Sequence, residues 1–326
     1  MTINSINSSN TVSIIIPVYN SARYIKDTIM SCLDQRYTNI EVIVVNDGST
    51  DNSEEIILSI KDDRIKYFKI PNGGACVARN FGISNAKGNL FQFLDADDIL
   101  DKDKLYYQVE KYLVHGDKYV YSAEMGMLIG ETKELSMGYE LFKHDFVPTN
   151  YFEILLDQHD KFLTTGIWLI PSAIVNAIGG WDINIKLNQD GEYFMRAILN
   201  SSGILFCKDS IFYYRRDVVN SISKKRDNKA IYDSWLHSYE SYAENFKKKL
   251  DIKTANYLGW KALSVYYCNS YPKYPDLLER CFSQIKALGY SQPDAHGGER
   301  LKKVARWIGT LNALKLLDFK KKLVKR

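Results

Sequence analysis

Three aspartates directly follow an apolar segment, in the stretch LFQFLDADD at residues 90–98. The apolar residues suit a buried strand, whereas burying an unpaired carboxylate costs free energy. Because residues i and i+2 of an extended chain point to the same side, Asp95 and Asp97 are expected to face one way and Asp98 the other. Two such carboxylates suit Mn²⁺ or Mg²⁺ and leave coordination positions for substrate phosphate oxygens. The alternative is a turn in which the aspartates cap the next helix.

Three further residues could bind a ligand or move a proton. Asp47 ends the apolar segment IEVIVVND, Arg79 lies in a helical segment entered through Gly73 and Gly74, and Asp190 stands near the start of another. A guanidinium suits planar groups and phosphates. A carboxylate beside a hydroxyl can act as a general base, which typically contributes about 10²- to 10⁴-fold to the rate. The alternatives are a turn aspartate, a solvated arginine and a helix N-cap.

The elements around these residues alternate between strands and helices. A continuous β-branched segment predicts that the first strand is buried, further apolar segments predict the next three strands, and apolar residues at helical spacing predict helices between them. The predicted strands are VSIIIPV, IEVIVVND, RIKYFKI and LFQFLDAD, all within residues 11–100. This alternation predicts an α/β fold with a doubly wound, mostly parallel sheet. Ligands of such sheets bind beyond the carboxyl ends of the strands, where Asp47 and Asp95 are expected.

Composition excludes several classes of protein. The 326 residues are 45% hydrophobic, and 43 basic against 39 acidic residues give a net charge of +4, too small to indicate a nucleic-acid partner. Five scattered cysteines indicate reduced thiols, as in a cytoplasmic protein. The leader MTINSINSSN lacks the apolar centre of a signal peptide, and no apolar run is long enough to span a bilayer. A cytoplasmic location, at most peripheral on the inner face of the membrane, is expected.

Five segments in order resemble a known family, the inverting nucleotide-sugar glycosyltransferases of family 2, which have the GT-A fold. The resemblance covers roughly residues 11–222. It rests on VSIIIPVYN, EVIVVNDGSTDNS, NGGACVARNFGI, FLDADD and GGWDINIKLNQDGEYFMRAI. It implies transfer of one sugar from a nucleotide-diphosphate donor, most often a UDP-sugar, to a hydroxyl of a glycan or lipid-linked acceptor. Surface polysaccharide synthesis is the expected context.

The resemblance also implies roles for individual residues of the donor site. Asp47 would accept hydrogen bonds from the base, Arg79 would approach the nucleotide, Asp95 would face the ribose and metal, and Asp97 would bind the metal directly. Asp98 is expected to cap the following helix. The residues expected beside the base and ribose are Pro17, Val18 and Tyr19.

Asp190 matches the catalytic base of the family. One base without a protein nucleophile implies a single displacement with inversion, although Gln189 stands where the family usually has an acid. Trp181 could stack on a sugar or belong to the core. Arg215 or Arg216 is expected near phosphate, and the role of Asp217 is left open. Because the Q-x-x-R-W pattern of processive members is absent, transfer of a single sugar is expected.

The predicted domains follow the chain order. A disordered leader covers residues 1–10 and a GT-A catalytic domain covers 11–221, with a nucleotide-binding half at 11–100 and an acceptor-binding half at 101–221. A helical region at 222–326 ends in a basic amphipathic tail with Leu301, Val304, Ile308, Leu311, Leu314 and Leu317. That tail either lies on an anionic membrane surface or packs on the protein with a solvated basic face.

Two other functions remain open. A binding module would keep the nucleotide site without turnover. A sugar nucleotidyltransferase would share the fold class and the metal, but it needs a glycine-rich phosphate loop where this chain has PVYNSARY.

Overall fold

Two units make up the chain in the computed structural model, which describes residues 10–135, 143–157, 164–216 and 228–324. The first unit comprises the described parts of Met1–Pro148, Leu163–Ile183 and Asn200–Ser221. The second comprises the described parts of Thr149–Phe162, Asn184–Leu199 and Ile222–Arg326. Except for Asn10, the predicted leader at residues 1–10 lies outside the described residues.

The first unit is built on one nine-stranded sheet. Its strand order is β3-β2-β1-β4-β8-β6-β9-β5, with β7 paired to β6. The strands are β1 (Val12–Val18), β2 (Ile40–Asp47), β3 (Ile65–Ile70), β4 (Leu90–Phe93), β5 (Ile99–Leu100), β6 (Val120–Ile129), β7 (Thr132–Leu135), β8 (Trp168–Pro171) and β9 (Ile204–Arg215).

The four strands predicted within residues 11–100 form the parallel half of this sheet. β1 lies between β2 and β4 and is parallel to both, and β3 is parallel to β2. Every residue of β1, β2 and β4 is buried, because helices cover both faces of a parallel sheet. β8 continues the sheet antiparallel to β4, and β6 pairs antiparallel with β8 and parallel with β9. The prediction of a mostly parallel α/β sheet is confirmed.

Five of the described helices belong to the first unit, and a sixth, mostly in the second unit, lies between β7 and β8 along the chain. α3 packs closely on β1: a Cβ atom added at Gly82 would lie 2.4 Å from Cγ2 of Ile15, so only glycine allows this approach. The helices are α1 (Ile25–Leu33), α2 (Ser53–Ser59), α3 (Ala75–Asn85), α4 (Lys104–His115), α5 (Pro148–Asp157, mostly in the second unit) and α6 (Ser172–Ile178).

A lysine is fully buried in the core of the first unit. The Nζ atom of Lys104 donates to Oε1 of Gln92 at 2.5 Å and to Oε1 of Gln108 at 2.7 Å. Burial lowers the pKa of Lys104 to about 7, because the charged form loses its hydration. The two amide acceptors match the two N–H groups of the neutral amine, whereas the charged form has a third N–H group.

The second unit is helical. Aromatic residues contribute to its core: Tyr232, Trp235, Tyr239, Tyr242 and Phe246 are all buried. The helices that follow α5 and α6 are α7 (Gln189–Leu199), α8 (Lys229–Lys249), α9 (Ile252–Ser270), α10 (Pro275–Ala287), α11 (Glu299–Ile308) and α12 (Thr310–Val324). No helix within the described ranges is both long and apolar enough to cross a membrane.

All five cysteines carry free thiols, and four of them are buried. Burial raises the pKa of Cys32, Cys207 and Cys268 to about 12, and it also raises the pKa of Cys281.

Candidate active site

The parallel strands place the predicted donor residues along one edge of the sheet. Val18 is level with Asn46, and Ile15 is level with Phe93, so β1, β2 and β4 end at the same edge. Pro17 and Val18 are buried within β1, whereas Tyr19 is the first exposed residue after it. Asp47 ends β2, and Asp95 follows β4.

The carboxylate of Asp47 holds the loop that leads into α3. Its Oδ1 accepts from the Gly73 amide at 2.7 Å, and its Oδ2 accepts from the Gly74 amide at 2.9 Å. Asn72 donates through Nδ2 to the Asp47 carbonyl oxygen at 2.8 Å. This role of Asp47 was not predicted, although two glycines before a helix are a signal of backbone amides that approach another group closely. Asp47 is buried, and the loop above it is exposed.

Arg79 joins α3 to the acidic segment. Its guanidinium is buried, and Nη2 donates to Oδ1 of Asp95 at 2.7 Å. The Cζ atom lies 4.3 Å from the centroid of the Trp181 ring, which places the cation over the π face. Trp181 is buried and also contacts Phe93 edge-on, while its backbone exchanges two hydrogen bonds with the Asn80 side chain. In this structure Trp181 supports Arg79 within the core.

The aspartates after β4 lie in a turn, so the expected strand alternation does not apply to them. β4 ends at Phe93, and the Asp98 amide donates to the Asp95 carbonyl oxygen at 3.1 Å. Asp98 was expected to cap α4, but it does not. It is buried, and its Oδ1 accepts from the Arg215 amide at 2.9 Å, which fixes the turn to β9. The prediction failed because nothing in the local sequence indicates that β9 approaches this turn.

Electrostatics disfavour the charged forms of two carboxyl groups in this turn. Burial, and then the neighbouring Asp95 carboxylate, raise the pKa of Asp97 to about 6. Burial and both neighbouring aspartates raise the pKa of Asp98 well above its usual range. Among the described residues, Oδ2 of Asp98 has no hydrogen-bond partner. A divalent cation would relieve this repulsion, so the carboxylate oxygens fit the predicted Mn²⁺ or Mg²⁺.

The described residues do not supply a metal site with three or more His, Cys, Asp or Glu ligands. The predicted site has two protein ligands, Asp95 and Asp97, and depends on substrate oxygens for the rest. Such sharing is usual for Mg²⁺, which is commonly held by one or two carboxylates together with phosphates and water.

The two arginines at the end of β9 differ in environment. Arg215 is buried and donates through Nε to the Asp97 carbonyl oxygen at 2.7 Å. Its Nη2 atom lies 3.8 Å from Oδ2 of Asp27. Arg216 is exposed, and its amide donates to the Leu128 carbonyl oxygen. Asp217, whose role was left open, lies outside the described residues.

Asp190 belongs to the second unit and lies in the first turn of α7. It is half-buried, and its Oδ1 accepts from the Gly191 amide at 2.9 Å. Asn188, two residues before Asp190, has a φ of 65°. Its Nδ2 atom donates to Oγ of Ser238 at 3.0 Å, which fixes the start of α7 on α8. Burial raises the pKa of Tyr151 above its usual range, and the negative charge of Asp190 raises it further. A tyrosine hydroxyl therefore lies within electrostatic reach of this carboxylate.

Comparison with known proteins identifies the family. The model of "Glycosyl transferase family 2" matches residues 13–126. This range includes the predicted base, ribose and metal contacts from Pro17 to Asp97, but not Arg215 or Arg216. An uncharacterized glycosyltransferase of Rickettsia typhi is 34% identical over 249 residues, covering 73% of this chain and 72% of the relative. The chain belongs to glycosyltransferase family 2.

Two other relatives are longer than this chain. An uncharacterized glycosyltransferase of Rickettsia felis is 34% identical over 286 residues, 84% of this chain, but the match spans 46% of that relative. Glycosyltransferase GlyA of Streptococcus pneumoniae is 30% identical over 239 residues, which are 70% of this chain and 33% of GlyA. The chain thus spans less than half the length of these two relatives.

Solved structures show the same fold. S. aureus TarS 1–349 in complex with UDP has a TM-score of 0.69 at 17% identity, covering 96% of this chain and 91% of that one. The complex of TarS 1–349 with UDP-GlcNAc has a TM-score of 0.68 at 19% identity, covering 85% and 81%. The predicted GT-A fold is confirmed.

Proposed function

We propose that this glycosyltransferase is a metal-dependent, inverting enzyme that moves one sugar from a UDP-sugar to a hydroxyl of a glycan or lipid-linked acceptor in surface polysaccharide synthesis. The observation that carries the proposal is the acidic turn at residues 95–98, which lies at the carboxyl edge of the parallel strands. A bound nucleotide and a bound UDP-sugar in the TarS structures support a UDP-sugar as the donor class.

The donor would be held by the first unit. Asp47 and Tyr19 would contact the base and ribose, together with Pro17 and Val18 of β1. The Arg79 guanidinium carries positive charge at the edge where the diphosphate would lie, and Trp181 restricts its movement. Asp95 and Asp97 would hold Mn²⁺ or Mg²⁺, which supplies positive charge to stabilise the departing diphosphate.

Asp190 would take the proton of the acceptor hydroxyl. The acceptor oxygen then forms its bond to the anomeric carbon while the bond to the diphosphate breaks, so the configuration at that carbon inverts. The start of α7 favours a carboxylate at this position, because the helix dipole and the Gly191 amide both stabilise negative charge. The contacts of Asn188 limit its movement further.

The test is a screen of UDP-sugars for acceptor-dependent release of UDP, after treatment with EDTA and after addition of Mn²⁺ or Mg²⁺. We expect one UDP-sugar to be turned over only when metal is restored. Asp190→Asn is expected to bind UDP with unchanged affinity and to lose about 10²- to 10⁴-fold in turnover. Asp209→Asn, a change of an exposed aspartate on β9, is the matched control.

Three outcomes would overturn this proposal. Undiminished turnover by Asp190→Asn would exclude this residue as the base. Binding of UDP-sugars without any release of UDP across a panel of acceptors would indicate the binding module. Release of pyrophosphate from UTP and a sugar phosphate would indicate a nucleotidyltransferase.

A further inference from the structure

The last two helices divide their apolar residues between two faces. Four residues on one side are buried in the second unit, namely Leu301, Thr310, Ala313 and Leu314. Gly309, with a φ of 79°, separates α11 from α12, and the Thr310 amide donates to Oε1 of Gln292 at 2.9 Å. The buried side therefore fixes both helices on the unit and leaves their other side in solvent.

The solvent side carries large apolar residues. Trp307 is 90% exposed and Phe319 is 60% exposed. Leu316, Phe319 and Leu323 follow one another at i, i+3 and i+7, so they form one stripe along α12. Exposed apolar groups in such an arrangement mark an interaction surface more often than isolated ones do.

Basic residues surround these apolar groups. Glu299–Val324 contains eight lysines and arginines against two acidic residues. Arg300 and Lys303 precede Trp307 by seven and four positions and therefore share its face of α11. Lys315 and Lys320 flank the stripe on α12, and both are exposed. A second copy of this chain would present the same excess of positive charge, which opposes self-association through this surface.

We propose that α11 and α12 bind the surface of an anionic phospholipid bilayer. Trp307, Leu316, Phe319 and Leu323 enter the headgroup region, and the surrounding lysines and arginines face lipid phosphates. This inference does not depend on the proposed catalytic activity. It combines the two alternatives for the tail, because the residues that pack on the protein and those proposed to reach the bilayer are different sets.

The test is flotation of the full chain with vesicles of phosphatidylcholine alone and with vesicles of equal parts phosphatidylcholine and phosphatidylglycerol. We expect binding to the anionic vesicles alone, weakened by added salt. Trp307→Ala combined with Phe319→Ala should lower the partition coefficient at least about tenfold. Ile252→Ala, which changes an exposed apolar residue of α9, is the matched control and should leave it unchanged.

A charge variant separates the electrostatic contribution. Lys320→Gln with Lys321→Gln should lower partitioning about tenfold or more. Lys248→Gln with Lys249→Gln changes two exposed lysines at the end of α8 and should lower it much less. Absence of binding to anionic vesicles, or equal binding by the apolar variant and the wild type, would overturn the proposal. Self-association that is lost in the apolar variant, without vesicle binding, would instead make this surface a contact between copies.

Discussion

At the scale of single residues, the same carboxylates serve both structure and the proposed chemistry. Asp47 uses both oxygens to hold the Gly73 and Gly74 amides before any ligand is present. A base that binds there would use the remaining lone pairs of a carboxylate that is already fixed. The types of these residues could be predicted from the sequence, but their partners could not, because the partners lie far away in the chain.

Lys104 gives a prediction for the dependence of stability on pH. Its pKa in the folded state, about 7, is lower than that of an unfolded lysine, about 10.4. Between these values the unfolded chain binds a proton that the folded chain does not. The free energy of unfolding therefore rises with pH across this window, by up to about 1.4 kcal/mol per pH unit, and the gain is lost as the pH falls through about 7.

Urea denaturation of the wild type and Lys104→Met at several pH values above neutrality measures this contribution. We expect the stability difference between them to increase with pH in favour of the wild type. Methionine also leaves two buried amide oxygens without their donor, but that cost is independent of pH. Lys118→Met, at an exposed site, is the control, and a difference that stays constant with pH would contradict the prediction.

At the scale of elements, α3 depends on its close approach to β1. Gly82→Ala would place a methyl group against Ile15, and overpacking of this kind typically costs about 1–3 kcal/mol. Chemical denaturation should show this loss, whereas Ser84→Ala on the exposed face of α3 should change stability little. In the Ile15→Ala background the cost of Gly82→Ala should largely disappear. Additive effects of the two changes would show that the contact is not the cause.

The elements themselves were the most predictable part of the fold. Continuous β-branched residues predicted β1 and β2, because strands buried on both faces favour such residues throughout. Short apolar segments predicted β3 and β4. The conformation of residues 95–98 was harder to predict. The strand ends at Phe93, and hydrogen bonds from Arg215 to Asp97 and Asp98 hold the turn that follows. The helix break at Gly309, which divides the predicted tail, was not predicted. The predicted apolar series correctly includes Leu301 and Leu314, which are buried, but it does not include Trp307 and Phe319, which are exposed.

At the scale of the whole molecule, all the predicted donor residues fall in the first unit. Asp190 falls in the second, together with segments from the middle of the chain that cluster with the C-terminal helices. The grouping follows from contacts between residues distant in sequence, which local patterns do not encode.

Hydrogen exchange measured by mass spectrometry tests where a nucleotide binds. We expect UDP with Mn²⁺ to slow exchange at residues 46–51, 72–79 and 95–98. At a UDP concentration of about one hundred times its dissociation constant, local unfolding that releases UDP should become about 100-fold rarer. Amides that exchange through this unfolding should slow by the same factor. The core helices α9 and α10 serve as the internal reference and should not change. Equal slowing in those helices, or no change at residues 95–98, would contradict the assignment of the donor site.

The burial of the cysteines has a practical consequence for such measurements. Alkylating reagents attack the thiolate. Four of the five native thiols are buried, and burial raises the pKa of Cys32, Cys207 and Cys268 to about 12. A reporter cysteine introduced on the exposed face of α11, for example Trp307→Cys, will therefore react with a maleimide dye much faster than the native thiols. A fluorescent probe can thus be attached at one chosen point without first removing the natural cysteines.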